Sequence, residues 1–495
     1  MSGDIIKRAG KAALWVSAAK WLDVIGAMLT LLFTARLLPP EAFGVYGMAL
    51  LAIIIPETVL SGALAESLIQ RKELRPGHLN GAFVLHMGLF AIFMAGLWFV
   101  TPLIVDHFKE PALALIVPIM SASILFACLG AVPGAILQRG LRFGVISMGD
   151  AAATVTAAVL GIGLALAGFG MWSLIWMEVG RRFAKYIVFI IAARWLPSLS
   201  FTRADIADLV RFNLLTLTTR LLAQLDSAIP RFFVGTILGA QALGYLNMAF
   251  RLYQQISAVM LAPFTAVALP VAAAVQHDRE RLHATFASGT RAATMLAFPV
   301  FIGAAAVAPV ALPLLLGAQW TPVVAAAQIL LLTAIRSPAN AFNGEILRGT
   351  GKPGLQLSIA LFGAVLGLIL APIATPYGVA WASAAVLFRG MLQWVLAAMI
   401  VERTLGYPAS RQFLIGWESM LAAAIMGVAV LAVTPFAAVY LKSGFLFGAL
   451  VVFGAVVHIS ALFLLAPRLA RRLIGLGGAI IRRDRQGITR LLGLS

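Results

Sequence analysis

With 495 residues, 61% hydrophobic and 11% charged, and a mean hydropathy of +0.98, the chain has too little polar surface to cover a water-soluble globule. It reads as an integral membrane protein. The formal net charge of +18 suggests a nucleic-acid partner only until its distribution is seen, because the basic residues sort by loop.

A membrane-spanning helix needs roughly 20 mostly apolar residues, and about fourteen such segments follow one another along the chain. They cover 12–38, 42–66, 79–105, 111–137, 143–168, 170–195, 211–238, 242–274, 286–315, 320–346, 353–373, 377–401, 412–436 and 444–467. The alternation of polar and apolar residues that a transmembrane β-barrel requires is absent from these runs. The expected fold is therefore an all-α polytopic bundle. Lys7, Arg8 and Lys11 precede the first run as in a signal peptide, but that run continues to Leu38, which fits a retained helix. Placing the N-terminus inside leaves only Arg36, Lys109 and Lys442 on the outer side, with all other loop arginines and lysines inside. Both termini are thus expected on the cytoplasmic side. The basic tail at 468–495 interleaves Arg with Leu and Ile, as an interfacial helix on anionic lipid would.

One corner occurs twice. FTARLLPPEAFGVYGMA (33–49) and FVGTILGAQALGYLNMA (233–249) align without a gap, sharing Phe, Leu, Ala, Gly, Met and Ala at 33, 38, 42, 44, 48 and 49. The first copy joins helices one and two and the second joins seven and eight, so the repeat unit is six helices and the copies enter the membrane in the same direction. Later stretches keep the order: PGAILQRG at Pro133 matches NGEILRGT at Asn343, and GMWSLIWMEVGR ending at Arg181 matches GVAWASAAVLFR ending at Arg389. Parallel repeats of this kind form two lobes related by an axis along the membrane normal. The expected division is an N-lobe at 1–200, a C-lobe at 201–405, two further helices at 406–467 and the tail at 468–495.

The stretches ARLLPPEAFGVYGMA, SLIQRKEL, GAVPGAILQRGLRF, LGAQALGYLNMAFRLYQ and LLGAQWTPVVAAAQIL, spread in order over roughly residues 10–400, resemble a known family. It is the polysaccharide-transporter branch of the multidrug/oligosaccharidyl-lipid/polysaccharide exporter superfamily, the Wzx-type oligosaccharide flippases. The resemblance implies two six-helix bundles around a central cavity, here with two extra helices. It also implies translocation of undecaprenyl-diphosphate-linked oligosaccharide from the inner to the outer leaflet of the bacterial inner membrane, with polysaccharide polymerase machinery as a partner. Exopolysaccharide, capsule and O-antigen synthesis all use such a step.

Charge within a bilayer costs several kilocalories per mole, so intramembrane ions are candidate functional residues. Lys20, Arg181, Arg182, Lys185, Arg220, Arg231, Arg251, Arg336 and Arg389 stand against Asp23, Glu57, Glu178, Asp226 and Glu418, a cationic surplus. Lys20 with Asp23, and Glu178 with Arg181 and Arg182, have the spacing of pairs along one helix. Arg220, Arg251, Arg336 and Arg389 have no acid within four residues. Their guanidinium forks suit a diphosphate. In the repeat frame Lys20 matches Arg220 and Arg181 matches Arg389. The expected substrate-binding set is thus Lys20, Arg181, Arg220, Arg251, Arg336 and Arg389. Asp226, Asp23 and Glu57 are candidates for ion coupling, since a buried carboxylate can take up and release protons. Pro56, Pro230, Pro263, Pro270 and Pro338 are expected to kink their helices.

Cys128 is the single cysteine and the six histidines are dispersed, so neither a cysteine metal cluster nor a histidine site is expected, and no cofactor is implied. A glycan polymerase or ligase would need a sizeable outer loop, whereas the outer connections are turns such as LLPPEAFG, LGAQALG and TPYG. No P-loop occurs either. The chain is therefore expected to be a transporter and not an enzyme. A MATE-like drug or cation exporter should line its cavity with acids. A peptidoglycan-precursor flippase is not separated by charge, and the carried glycan is not encoded in any motif.

Overall fold

The computed structural model describes residues 23–61, 68–69, 74–198, 200–350 and 352–467. Lys20, the N-terminal Lys7, Arg8 and Lys11, and the basic tail at 468–495 lie outside the described residues. Among the described residues every regular element is a helix, with no strand. In hydrocarbon each backbone N–H and C=O must be satisfied within its own segment, and uninterrupted apolar runs do this as helices.

Helix α1 is described over 23–37, and α2 is Pro40–Ser61. There follow α3 (Pro76–Phe108), α4 (Leu113–Arg139), α5 (Phe143–Leu166) and α6 (Trp172–Ala193). Helix α7 (Arg203–Ala274) is interrupted at Gly239, whose φ of 81° and ψ of −174° suit a residue without Cβ. Then come α8 (Arg279–Leu316), α9 (Val323–Leu331), α10 (Ser337–Gly349), α11 (Pro353–Ala374), α12 (Val379–Leu405), the short α13 (Ala409–Leu414), α14 (Trp417–Tyr440) and α15 (Ser443–Leu465).

Helices thus stand on all the expected apolar segments, yet those long and apolar enough to cross a membrane number 10 among the described residues, or up to 11 with one bent pair. The difference from fourteen has local causes. Only the later part of the first segment is described, two segments meet at the break at Gly239 and count as one span, and α6 carries Glu178, Arg181, Arg182 and Lys185. The bent pair is Val323–Ile335 with Ser337–Gly349, turned by 51°. Pro338 sits in the first turn of α10, where its missing N–H costs no helical bond, so the break falls just before it, at Arg336. Pro56, by contrast, lies inside an unbroken α2.

The chain forms two compact units, residues 1–247 and 248–495. In the first, α6 packs on α5 and α4, and α2 on α4. In the second, α14 packs on α15 and α8, α11 on α12, and α9 on α8 and α12. Its largest aromatic contact joins Phe286, Phe342 and Tyr407. Large apolar side chains such as Trp98, Phe99, Leu103, Phe436 and Phe445 are left outward, as lipid-facing helices require.

Within the first unit the repeated corner meets itself. A Cβ on Gly44 would overlap the carbonyl of Ala240, and a Cβ on Gly244 would overlap the carbonyl of Pro40. Likewise, the Asn247 amide fills the space beside Gly47. Each contact maps onto the other by a shift of 200 residues, which is the signature of a self-complementary, two-fold contact. Pro40 and Gly44, like Ala240 and Gly244, stand four apart on one helix face, the small-residue spacing that lets helices approach backbone to backbone.

The start of α3 is knotted to the stretch before α7. The Arg75 amide donates to His78 Nδ1 at 3.2 Å, which leaves the ring proton on Nε2, 3.3 Å from Asp205 Oδ1. Asp205 also accepts from the Thr202 amide (2.9 Å) and hydroxyl (2.7 Å), and Asn80 donates to Ser198 Oγ and the Ser200 carbonyl. Arginines close other helix ends: Arg142 donates to the Ala192 carbonyl at 2.7 Å.

Candidate functional site

Helix α6 carries Glu178, Arg181, Arg182 and Lys185, steps of three and four residues that put them on one face. That face forms a wall of a cavity of about 470 Å³ inside the first unit, together with Asp23, Glu57, Asp150 and Thr154. Glu178 is the hub. Its buried carboxylate accepts from Arg181 Nη2 at 2.9 Å and from Arg182 Nε at 2.6 Å. Arg182 Nη2 continues to Glu57 Oε1 on α2 at 2.6 Å, a bridge between helices. Lys185 reaches Asp150 Oδ1 on α5 at 2.6 Å and lies over the Phe189 ring. Asp23 accepts from the Thr154 hydroxyl.

The two arginines are held differently. Arg182 uses its donors on two carboxylates and is largely enclosed. Arg181 is anchored on one side only, and half of its side chain remains exposed. An arginine so placed has its remaining donors ready for an anion in the cavity, with its orientation already set by Glu178.

The structure brings the expected Arg181, Asp23 and Glu57 to one cavity and adds Arg182, Lys185, Asp150 and Thr154. Among the described residues this cavity shows no cationic surplus: Arg181, Arg182 and Lys185 face Asp23, Glu57, Asp150 and the underlying Glu178. Asp150 went unread in the sequence although the signal was plain, since it is the one acid in the apolar run FGVISMGDAAATVTAAVLGIGLAL. Arg220, exposed on α7, the half-buried Asp226 and the half-buried Arg251 are not part of this cavity wall.

In the second unit Arg389 stands on α12, and the Arg336 side chain reaches the residue that follows it. Arg389 is buried, at 6% exposure. The Arg336 side chain leaves the break before α10 and lies across the next residue, Gly390, where a Cβ would stand 2.8 Å from its Cζ and Nη2. Its buried Nε has no hydrogen-bond partner among the described residues. Beside it the Tyr253 hydroxyl lies 3.1 Å from Ser337 Oγ, which donates to the Thr333 carbonyl at 2.8 Å. A separate cavity of about 330 Å³, lined by residues such as Phe298, Met391, Trp394 and Trp417, has no charged side chain in its lining and offers no ionic chemistry. Among the described residues no group of three His, Cys, Asp or Glu is placed to hold a metal ion.

Known proteins resemble the chain in sequence and in fold. The lipopolysaccharide biosynthesis protein WzxC of Escherichia coli (strain K12) is 25% identical over 362 residues, 70% of this chain and 72% of that protein. The teichuronic acid biosynthesis protein TuaB of Bacillus subtilis (strain 168) is 24% identical over 70% of this chain and 74% of its own length. The succinoglycan biosynthesis transport protein ExoT of Rhizobium meliloti (strain 1021) is 24% identical over 68% of each. In fold, the chain is similar to the lipid II flippase MurJ in an inward closed conformation, with a TM-score of 0.75 at 16% identity over 92% of this chain and 99% of that one. An inward-facing MATE family transporter of the MOP superfamily gives 0.60 at 16% identity, covering 78% and 94%. The sequence pattern of one family matches residues 33–325, more than half the chain, and with the multi-pass helical fold this shows that the chain belongs to the polysaccharide biosynthesis protein family.

Proposed function

We propose that this protein is a flippase that moves undecaprenyl-diphosphate-linked oligosaccharide units from the inner to the outer leaflet of the bacterial inner membrane. Both termini are cytoplasmic in this reading, and the carried units feed exopolysaccharide, capsule or O-antigen synthesis. The observation that carries it is Arg181: a guanidinium on the cavity wall of an apolar bundle, oriented by a buried carboxylate and open on its other side to a polar cavity. Membership of a polysaccharide biosynthesis family, and relatives named for lipopolysaccharide, teichuronic acid and succinoglycan biosynthesis, support the substrate class.

The mechanism is alternating access between an N-lobe at 1–200 and a C-lobe at 201–405. Lys20, Arg181, Arg220, Arg251, Arg336 and Arg389 supply phosphate-binding charge along the path. No covalent step is involved. The balanced ions of the first-unit cavity favour ion coupling there. Asp23 is the carboxylate whose described partner is a hydroxyl and not a base, so it is the group to exchange a proton or cation as the cavity changes exposure. Glu57 is tied to Arg182 and serves this role less well, and Asp226 is the remaining candidate. A polysaccharide polymerase receives the product.

The test is deletion of the protein in its host with identification of the lipid-linked glycan that accumulates in the inner leaflet. Complementation with Arg181→Gln should leave that accumulation uncorrected. Absence of any accumulated lipid-linked glycan on deletion would overturn the proposal.

A further inference from the structure

In the repeat frame that matches Arg181 to Arg389, Arg182 matches Gly390, Lys185 matches Gln393 and Glu178 matches Val386. Extending the register of the corner matches Glu57 to Ser257. The first unit therefore has two adjacent arginines and two carboxylates that satisfy them, Glu178 and Glu57. The second unit has neither carboxylate. It also lacks the second arginine in sequence, but not in space: the Arg336 guanidinium, arriving from the break before α10, occupies the notch left by the missing side chain of Gly390.

We propose that Gly390 is a positioning residue that admits the Arg336 guanidinium beside the Arg389 position, building an anion site in which the diphosphate of the substrate takes the place that the carboxylates of Glu178 and Glu57 hold in the first unit. This rests on the flippase reading above and deepens it by assigning where the charged group of the substrate is held. Three observations carry it. The guanidinium lies directly on Gly390, so any Cβ there displaces it. The buried Nε of Arg336 has no described hydrogen-bond partner, and a guanidinium with an unmet buried donor is poised for an anion. The counterparts of both carboxylates are uncharged, one of them apolar and the other a hydroxyl.

Gly390→Ala is a clean probe because the displaced atoms are the far end of a flexible side chain and not backbone. The full chain is purified in detergent and its thermal midpoint measured against inorganic pyrophosphate. Wild type should be stabilised, and Gly390→Ala should need at least about tenfold more pyrophosphate for half the effect, with the ligand-free midpoint unchanged. Val386→Glu installs a carboxylate three residues before Arg389 and four before Gly390, the spacing of Glu178. It should abolish the pyrophosphate effect while leaving the ligand-free midpoint equal or higher, which a merely structural role for this face does not produce. If both variants respond as wild type while Arg336→Gln loses the response, the placement by Gly390 is wrong and the anion-binding role of Arg336 stands. If wild type does not respond, or Arg336→Gln responds fully, the diphosphate reading of this arginine fails and the inference with it.

Discussion

Gly44 and Ala240 touch backbone to backbone, and the same contact recurs with the partners exchanged between Gly244 and Pro40. A repeated sequence normally means a repeated element, but here the copies are also each other's binding surface, so one small-residue stripe serves both sides of the contact. This accounts for the ungapped retention of the corner in two halves that elsewhere have diverged.

Gly44→Ala and Gly244→Ala should each destabilise the corner by about 1–3 kcal/mol, because the added methyl meets a backbone carbonyl that cannot rotate away. The two substitutions act on one contact, so the double variant should cost clearly less than the sum of the singles in a thermal-unfolding cycle. Strict additivity would show that the two contacts are independent and that the corner is not a single self-complementary joint.

Glu178 satisfies Arg181 and Arg182 together, and its removal leaves two guanidiniums in an apolar bundle with one carboxylate, Glu57, between them. Glu178→Gln should lower folding stability by about 3–5 kcal/mol, the range for breaking a buried ion pair from one side. Arg181→Gln should cost much less, since that side chain is half exposed, while still eliminating export of the glycan. The comparison of detergent-extracted yield and thermal midpoint with glycan export separates the structural residue from the binding one. Equal stability losses for the two variants would contradict the assigned roles.

The knot before α7 should confer a pH dependence. Hydrogen bonds from the Thr202 hydroxyl and amide, with smaller help from His78 and Arg75, hold the Asp205 carboxyl below the ordinary carboxylate range. With the folded value depressed, the stabilisation is present above the unfolded value, roughly pH 4, and is lost as pH falls through the folded one. The thermal midpoint should therefore be steady from neutral pH to about 5 and decline below about 4. Asp205→Asn should remove part of that acid limb. An identical acid profile in wild type and variant would show that the carboxylate is not linked to folding.

Orientation is open to a direct test with single cysteines at exposed positions, after the one native cysteine, buried Cys128, is replaced. Gln241, beside the second corner, should be labelled by an impermeant thiol reagent from outside, and Arg348, at the end of α10, only after permeabilisation. The reverse pattern would invert the topology inferred from the loop arginines.

The membrane class, the helix positions, the doubled corner and a list of charged residues were legible in the linear sequence, because each depends on short-range properties. Apolar run length decides whether a segment can span a bilayer, and a lone charge in such a run is conspicuous wherever it folds. Even so, Asp150 was not legible as a site residue, since it has no neighbour of opposite sign along its own helix. What the sequence could not decide is which charges meet. Pairing across helices depends on the azimuth of each helix and on kinks such as the 51° bend at Arg336, and an error of one residue turns a side chain by about 100°. Only the tertiary structure therefore joined Arg182 to Glu57 and Lys185 to Asp150, and showed that the described charges of the first-unit cavity balance. Gly390 is the sharpest case: one of 45 glycines in the chain, it acquires a role only when the Arg336 side chain from another helix is seen lying in the space it leaves.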